Sequence, residues 1–331
     1  MRVLVTGVRG FTGSYLAEFL LSKKGVEVHG LGRPFSDKKP RRKISHGVIF
    51  HPCDILDAKT VERILKKVRP ERVFHLAAQS SASLSWNFPA KTLQTNLIGQ
   101  MNILEAVRKS GQHSQIHIAG SSDAYGIVPI SERPIQETIC LKPVSPYGVS
   151  KAAQDLLAYQ YHKAYGLPIV RTRAFNHTGP GQSEAFVASN FARQFALIEA
   201  GKEKPVIRVG NLEAVRDFTD VRDIVKAYWL ALEKGKSGEV YNVCSGTGHK
   251  IGEIVEFYLK HVKVKIKVKL DRVRIRLGDV PFLVGDPSKF MKETGWKAVT
   301  PFETTLTDLL NAWRQTVAGF TPPLQCGDLN S

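Results

Sequence analysis

The chain opens on a short apolar run, Val3-Leu4-Val5-Thr6, then a glycine-punctuated turn from Gly7 to Gly13. Apolar residues at helical spacing follow: Tyr15, Leu16, Phe19 and Leu20. A continuous apolar run marks a strand buried on both faces, and the change to a 3.6-residue period marks entry into a helix. Comparable runs recur at 26–31, 48–50, 73–78, 116–120 and 168–173. Helical patterns lie between them. Asp57 stands where it can cap a helix carrying Val61, Ile64, Leu65 and Val68 on one face, and further helices are predicted at about 89–108 and 147–165. Strands alternating with helices predict an α/β fold, a doubly wound parallel sheet with helices on both faces.

After Phe175 the alternation breaks. Glycine and proline predict a loop at 176–182. A helix at 188–200, a strand at 206–209 and a turn at Gly210-Asn211 come next, and a helix at 221–233 and a strand at 240–243 return to the first sheet. The expected division is a dinucleotide-binding domain of the Rossmann type at 1–173 and about 214–243, and a smaller substrate lobe at about 174–213 and 244–322. From 261 to 277, Val, Ile or Leu alternate with Lys263, Lys265, Lys267, Lys269, Arg272, Arg274 and Arg276. A period near two predicts a strand with one buried face and one basic face, its lysines guarding an exposed edge. Arg276, near the end of the lobe, is the one assigned to a phosphate.

Several strand ends carry candidate chemistry. Gly7, Gly10 and Gly13, with Phe11 and Thr12 between them, follow a strand and open a helix. Such glycines let the backbone approach a pyrophosphate seated on the helix N-terminus. An acid at the end of the second strand would hold the ribose 2′-hydroxyl of NAD. Gly32 and Arg33 stand there instead, followed by Lys38, Lys39, Arg41, Arg42 and Lys43, so the cofactor expected is NADP(H), with Arg33 on its 2′-phosphate. Asp54, next to Ile55, is placed to hold the adenine amino group. Leu76, Ala77 and Ala78 leave room for a flat cofactor at the sheet edge. His75 reads as a core histidine, and Asn96 is polar among apolar neighbours.

The strand at 116–120 delivers Ser121, Ser122 and Asp123 to the edge where open parallel sheets bind ligands. Ser121 can hydrogen-bond a substrate carbonyl, and Asp123 can be a base or a turn cap. Tyr147 and Lys151 lie one helical turn apart after the helix start Ser145-Pro146. A phenol of pKa near ~10 must lose about 4 kcal/mol of proton affinity to titrate near neutrality. A cation at ~4 Å in an effective dielectric of ~20 supplies that much. The pair therefore suits proton transfer to or from a substrate oxygen.

Composition narrows the class. In 331 residues, 43% are hydrophobic and 23% charged, as in ordinary globular proteins. No apolar run approaches the ~18 residues of a membrane span, and no signal-peptide pattern precedes the first strand. Cys53, Cys140, Cys244 and Cys326 lack metal-ligand spacing, so no metal is expected, and reduced thiols point to the cytoplasm. The net charge of +17 suits anionic ligands, but no aromatic–basic interleaving of a nucleic-acid module is present.

Four motifs together resemble the extended short-chain dehydrogenases/reductases of the nucleotide-sugar branch. They are Thr6-Gly7-x-x-Gly10-x-x-Gly13, His75-Leu-Ala-Ala78, Ser121-Ser-Asp-x-Tyr-Gly126 and Tyr147-x-x-x-Lys151. The segments 175–182 and 210–223 resemble the members that act on GDP-mannose derivatives. The resemblance implies a Ser121–Tyr147–Lys151 site and contacts to a GDP-sugar from Asn176, Asn211, Arg216, Arg276 and Asp279. Ser80 and Ser122 are further candidates for that role. The implied reaction is NADPH-dependent reduction of the C4 keto group of GDP-4-keto-6-deoxy-D-mannose to GDP-D-rhamnose. Alternatives are GDP-mannose 4,6-dehydration, both activities in one enzyme, or 4-epimerisation. A dinucleotide sensor without catalysis is a reading of another class, which an intact Ser–Tyr–Lys set disfavours. In the family a Glu usually stands at the positions of Asp123 and Asp279. A carboxylate shorter by about 1.5 Å can cost a dehydratase ~100-fold, which favours reduction. The family also implies a homodimer, joined through the helices at 90–109 and 147–165.

Overall fold

The structure is a computed structural model that describes residues 1–34, 45–275 and 278–319. Strands β1 (Arg2–Thr6), β2 (Glu27–Gly32), β3 (Ile49–Pro52), β4 (Arg72–His75), β5 (Gln115–Ser121) and β6 (Ile169–Ala174) alternate with helices. These are α1 (Phe11–Leu21), α2 (Ala58–Val68), α3 (Ala82–Asn87), α4 (Pro89–Leu93), a π-turn (Gln94–Ile98), α5 (Gly99–Ser110) and α6 (Pro146–Tyr165). The chain then leaves the sheet through β7 (Asn176–Thr178), α7 (Val187–Glu199), β8 (Val206–Val209) and β9 (Val215–Asp220). It returns through α8 (Val221–Glu233) and β10 (Val240–Val243). It closes with β11 (Gly248–Lys250), α9 (Ile251–His261), β12 (Lys267–Leu270), β13 (Phe282–Leu283), α10 (Ser288–Thr294) and α11 (Phe302–Val317).

Seven parallel strands form the main sheet in the order β10-β6-β5-β4-β1-β2-β3. The strand order reverses between β1 and β4, and this opens a crevice at their C-terminal ends. The doubly wound α/β architecture expected from the pattern is therefore the one observed. One apolar core under α1 and α8 holds Leu16, Phe19, Val225 and Tyr228. The other, under α2, α5 and α6, holds Leu65, Ile103, Leu104 and Ala158. A third core belongs to the lobe, where Phe191, Phe195, Ile254 and Leu309 meet. Phe290 and Trp296, although late in the chain, pack into the first core.

Two expectations differ from the structure. The stretch predicted as a loop at 176–182 begins with β7, which pairs in parallel with β9 in a second sheet. Three residues of backbone pairing gave no apolar run to read. The basic stretch is not one long strand either. Helix α9 continues to His261, and only Lys267–Leu270 is extended before a 3-10 turn at Arg272–Arg274. All four β12 residues are exposed, so the expected buried face is missing. The strand pairs with β8 alone, beyond the edge of the lobe core. Arg276 and the basic run at 38–43 lie outside the described residues.

Helix α6 carries Tyr147 and Lys151, and its placement is over-determined. Ser145 caps it by accepting from the Gly148 amide at 3.0 Å, Pro146 fills the first turn, and Gly166 ends it at φ 68°. On its inner face Asp155 accepts from Arg171 at 2.6 Å and Arg173 at 2.9 Å, all three buried. Arg173 reaches on to the Tyr125 hydroxyl at 2.9 Å and the Glu137 carbonyl at 3.0 Å. This ties the helix to β6 and to the segment after β5. Removing the one carboxylate strands two buried guanidinium groups. Asp155→Ala is expected to lower unfolding free energy by about 3–5 kcal/mol in urea titration.

Candidate active site

A cleft of about 1110 Å³ runs along the C-terminal ends of β1 to β6. Its floor begins at the glycine turn. A Cβ on Gly7, which has φ +72°, would meet the backbone of Ala77 at 2.9 Å, and one on Gly13 would meet the Gly7 carbonyl at 2.2 Å. The turn therefore lies flush on Ala77, and only glycine permits it. No side chain caps α1, so its first amides face the cleft at the positive end of the helix dipole. This is a cradle for a pyrophosphate.

At the far end of the cleft, Arg33 stands exposed just past β2. Beside it lies a residue that the sequence reading passed over. Arg9 is buried, lies 5.9 Å over the Phe50 ring, and donates to the Arg33 carbonyl at 2.8 Å. Its aliphatic stem lies against Gly32, where a Cβ would sit 3.9 Å from the Arg9 Cδ. Arg9 thus anchors the backbone of Arg33, which lines the end of the cleft where a ribose 2′ substituent would lie. Asp54 lines the same end and accepts from the Leu56 amide at 3.0 Å. Ile55, Leu76, Ala77 and Ala78 line the wall between.

The reacting groups cluster at the end of β5. Ser121 accepts from the Asp123 amide at 3.2 Å and donates to the Asp123 carboxylate at 3.1 Å, so Asp123 sits in the turn and is also a charged acceptor. Tyr147 is buried and lines the same part of the cleft as Ser121, whose hydroxyl favours the ionised phenol. Lys151 lies beneath, its ammonium donating to the Ala119 carbonyl at 2.9 Å. Burial pushes Lys151 down to about 8, and the Asp123 charge partly opposes this.

The electrostatics correct one part of the sequence argument. Lys151 was expected to bring the phenol toward neutrality. Instead burial, then the Asp123 charge, raise the Tyr147 pKa, and the Ser121 hydrogen bond offsets only part of that. The cost of burying a phenolate dominates, and Lys151 is not among the charges that move it. The phenol is thus a proton donor at rest. His75 is buried and pushed down to about 3, first by burial and then by Lys151. Thr6 Oγ accepts from the Leu76 and Ala77 amides at 3.2 and 3.1 Å, so its own proton goes to His75 Nδ1 at 2.9 Å. His75 is neutral, and among the described residues its Nε2 has no partner.

On the substrate side, Asn211, Arg216 and Asp279 meet although far apart in sequence. Asp279 accepts from Asn211 at 3.1 Å and from Arg216 at 2.8 Å. Ser80, Ser122 and Asn176 line the cleft as well. Of the candidate residues, Lys151 lies below the cleft wall and Arg276 is outside the described residues. Two polar residues gain roles that the sequence did not signal. His177 Nδ1 donates to the Phe175 carbonyl at 3.2 Å, which leaves its Nε2 to accept from Thr12 at 3.0 Å. Asn96, in the π-turn, accepts from the Gln79 amide at 2.7 Å and donates to Ser150 of α6 at 2.8 Å. Among the described residues, no group of His, Cys, Asp and Glu could hold a metal ion.

The model of the GDP-mannose 4,6 dehydratase family matches residues 4–309. The chain belongs to this family. Within it, the chain is 32% identical to the GDP-6-deoxy-D-mannose reductase of Pseudomonas aeruginosa, over 96% of this chain and 98% of that one. It is 35% identical to GDP-mannose 4,6 dehydratase 2 of Arabidopsis thaliana, over 91% and 83%. The solved structure of the P. aeruginosa protein RMD, complexed with NADPH, superposes with a TM-score of 0.84 at 32% identity, covering 95% of this chain and 99% of that one. A UDP-glucose 4-epimerase of Thermotoga maritima reaches 0.85 at 30% identity, covering 96% and 100%. The fold and the extended short-chain dehydrogenase/reductase architecture are thus those of nucleotide-sugar enzymes.

Arg9 is a buried cation bonded to the Arg33 carbonyl, so its loss should be felt most by a phosphorylated ribose. Arg9→Met is expected to weaken NADPH binding about tenfold, the worth of one charge-assisted hydrogen bond, with NADH binding little changed. Fluorescence titration with both cofactors measures it.

Proposed function

We propose that this enzyme reduces the C4 keto group of GDP-4-keto-6-deoxy-D-mannose to give GDP-D-rhamnose, using NADPH. The observation that carries the reading is the placing of Tyr147 and Ser121 together on the cleft wall, with the buried Lys151 ammonium below it against the Ala119 carbonyl. The glycine turn, the open end of α1, Arg9, Arg33 and the Ala77-Ala78 wall fit an NADP dinucleotide, which when bound supplies the hydride. The chain's own residues handle the oxygen. Ser121 and Tyr147 hold the keto oxygen, and Tyr147 gives up its proton as negative charge develops there. Lys151 stabilises the phenolate left behind while it remains an ammonium. Asn211, Arg216 and Asp279, with Asn176, Ser80 and Ser122 along the wall, receive the GDP-sugar.

The relatives that dehydrate GDP-mannose supply the second reading. That chemistry needs a carboxylate free to remove the C5 proton. Asp123 is short, and its carboxylate accepts from Ser121 at 3.1 Å, which favours reduction. Offering the 4-keto sugar with NADPH should oxidise the cofactor stoichiometrically. Turnover of GDP-mannose with no net cofactor change would instead identify a dehydratase.

The same reading assigns 1–173 and about 214–243 to cofactor binding, and about 174–213 and 244–322 to the sugar nucleotide. It also takes the enzyme to be a homodimer. Val149, Leu156 and Tyr159 form an exposed stripe on α6, and Leu84, Phe88 and Ile98 are exposed nearby in sequence to its partner helices. Among the described residues no helix is long and apolar enough to cross a membrane, and Cys53, Cys140 and Cys244 are free thiols, in keeping with a cytoplasmic enzyme.

Three outcomes check these points. Tyr147→Phe should lower kcat by roughly 10²–10⁴-fold in single-turnover assays. The reduction rate should be level below pH 8 and fall above it, because Lys151 loses its proton at about 8. Leu156→Glu should shift the species seen by light scattering from dimer to monomer.

A further inference from the structure

The stretch from 260 to 275 concentrates charge that the reaction does not use. It holds seven basic residues and one acid, Asp271, in a chain of net charge +17. Among the described residues, none of Lys263, Lys265, Lys267 and Lys269 is in an ion pair, and all four are exposed. Aliphatic side chains are interleaved with them and exposed too: Leu270 at 56%, Ile275 at 49% and Val273 at 92%. A soluble surface tolerates a lone aliphatic residue, but a row of them calls for a partner.

The register explains why they are bare. Val268 and Leu270 pair with Ile207 and Val209, which turn down into the lobe core. The apolar face of the two-stranded sheet thus continues past the core edge. Val268, Leu270 and Ile275 there line a shallow apolar depression of about 450 Å³ with Val209 and Leu212. Lysines on a ribbon only two strands wide can bend their stems either way and bring their ammonium groups to the same surface.

We propose that this ledge docks the enzyme on an anionic lipid bilayer, with the aliphatic tips entering the headgroup–acyl boundary and the lysines on lipid phosphates. The composition selects this occupant. The stretch from 262 to 275 contains no aromatic residue, whereas binding to single-stranded nucleic acid uses aromatic stacking platforms. A protruding Val273, almost wholly exposed, suits a soft boundary that needs no complementary shape. Interleaved lysines and aliphatics are the pattern of surface-bound segments. Val273 and Arg274 also form part of the wall of the main cleft, so docking sets the nucleotide end of that cleft beside the lipid. The inference goes beyond the reaction proposed above and does not rest on it, since the test needs neither cofactor nor sugar.

The test is co-sedimentation of the full chain with vesicles of phosphatidylcholine, with and without about 30% phosphatidylglycerol, at low and high salt. Binding is expected only to the anionic vesicles and should be lost at high salt. Lys265→Gln, Lys267→Gln and Lys269→Gln together should weaken it by roughly 100-fold, at about fivefold per lysine. Val268→Ser with Leu270→Ser should weaken it about tenfold through lost apolar burial. All five positions are exposed, so both variants should keep the parent circular dichroism and reductase rate. Failure of the wild-type chain to sediment with the anionic vesicles overturns the proposal. So does binding that the serine pair leaves unchanged and that polyglutamate or RNA displaces at equal charge, which would make the ledge a general polyanion or acidic-protein site.

Discussion

The ammonium of Lys151 is held out of water against a single backbone carbonyl, that of Ala119. A cation in that position is costly, and it persists only where neighbouring structure fixes it. Much of the architecture around it serves this end. The capped start of α6, the Asp155 link to β6, and the π-turn that faces the helix all restrict where the lysine can go. Gln154 of α6 donates to the Asn96 carbonyl at 2.8 Å, and Gln100 donates to the Gln154 carbonyl at 2.8 Å. A π-turn shifts the helical register by one residue and so frees a carbonyl for such a contact. The irregular helix and the reactive helix are therefore locked side by side.

The same burial decides which way protons move. Desolvation destabilises a phenolate and an ammonium alike, so Tyr147 is held protonated while Lys151 is brought within reach of neutrality. An enzyme that begins by donating a proton needs the first of these conditions. The Asp123 charge acts in the same sense on the phenol and opposes burial at the lysine, so one carboxylate biases both groups toward their protonated forms. Its contact with Ser121 also removes freedom that an independent base would need.

How much of this was legible in the chain follows from how local each signal is. The parallel sheet could be read because its strands are short apolar runs in strict alternation with helices. The glycine turn and the Tyr147–Lys151 pair could be read because their geometry is set within a few residues. Asn211, Arg216 and Asp279 were reached through resemblance, and nothing in their spacing shows that they meet. Arg9 escaped notice because its partner is a backbone carbonyl on another strand, which has no sequence signature. The stretch after α9 had the right period for a strand with a buried face, but periodicity reports only the side chains' alternation, and no core lies beneath Val268 and Leu270. The phenol's proton affinity was misjudged for a related reason: a charge four residues away is visible in a sequence, and the loss of water is not.

The bond between Thr12 and His177 joins the phosphate-cradling turn to β7, and the Tyr15 hydroxyl adds a second tie to the Pro180 carbonyl at 2.9 Å. Asn176, next to His177, lines the cleft. A ligand that shifts the turn therefore bears on that strand as well. Any coupling carried by these ties acts on both ends of the cleft by the same factor. Ordered addition, with the dinucleotide arriving first, would be the kinetic face of that reciprocity.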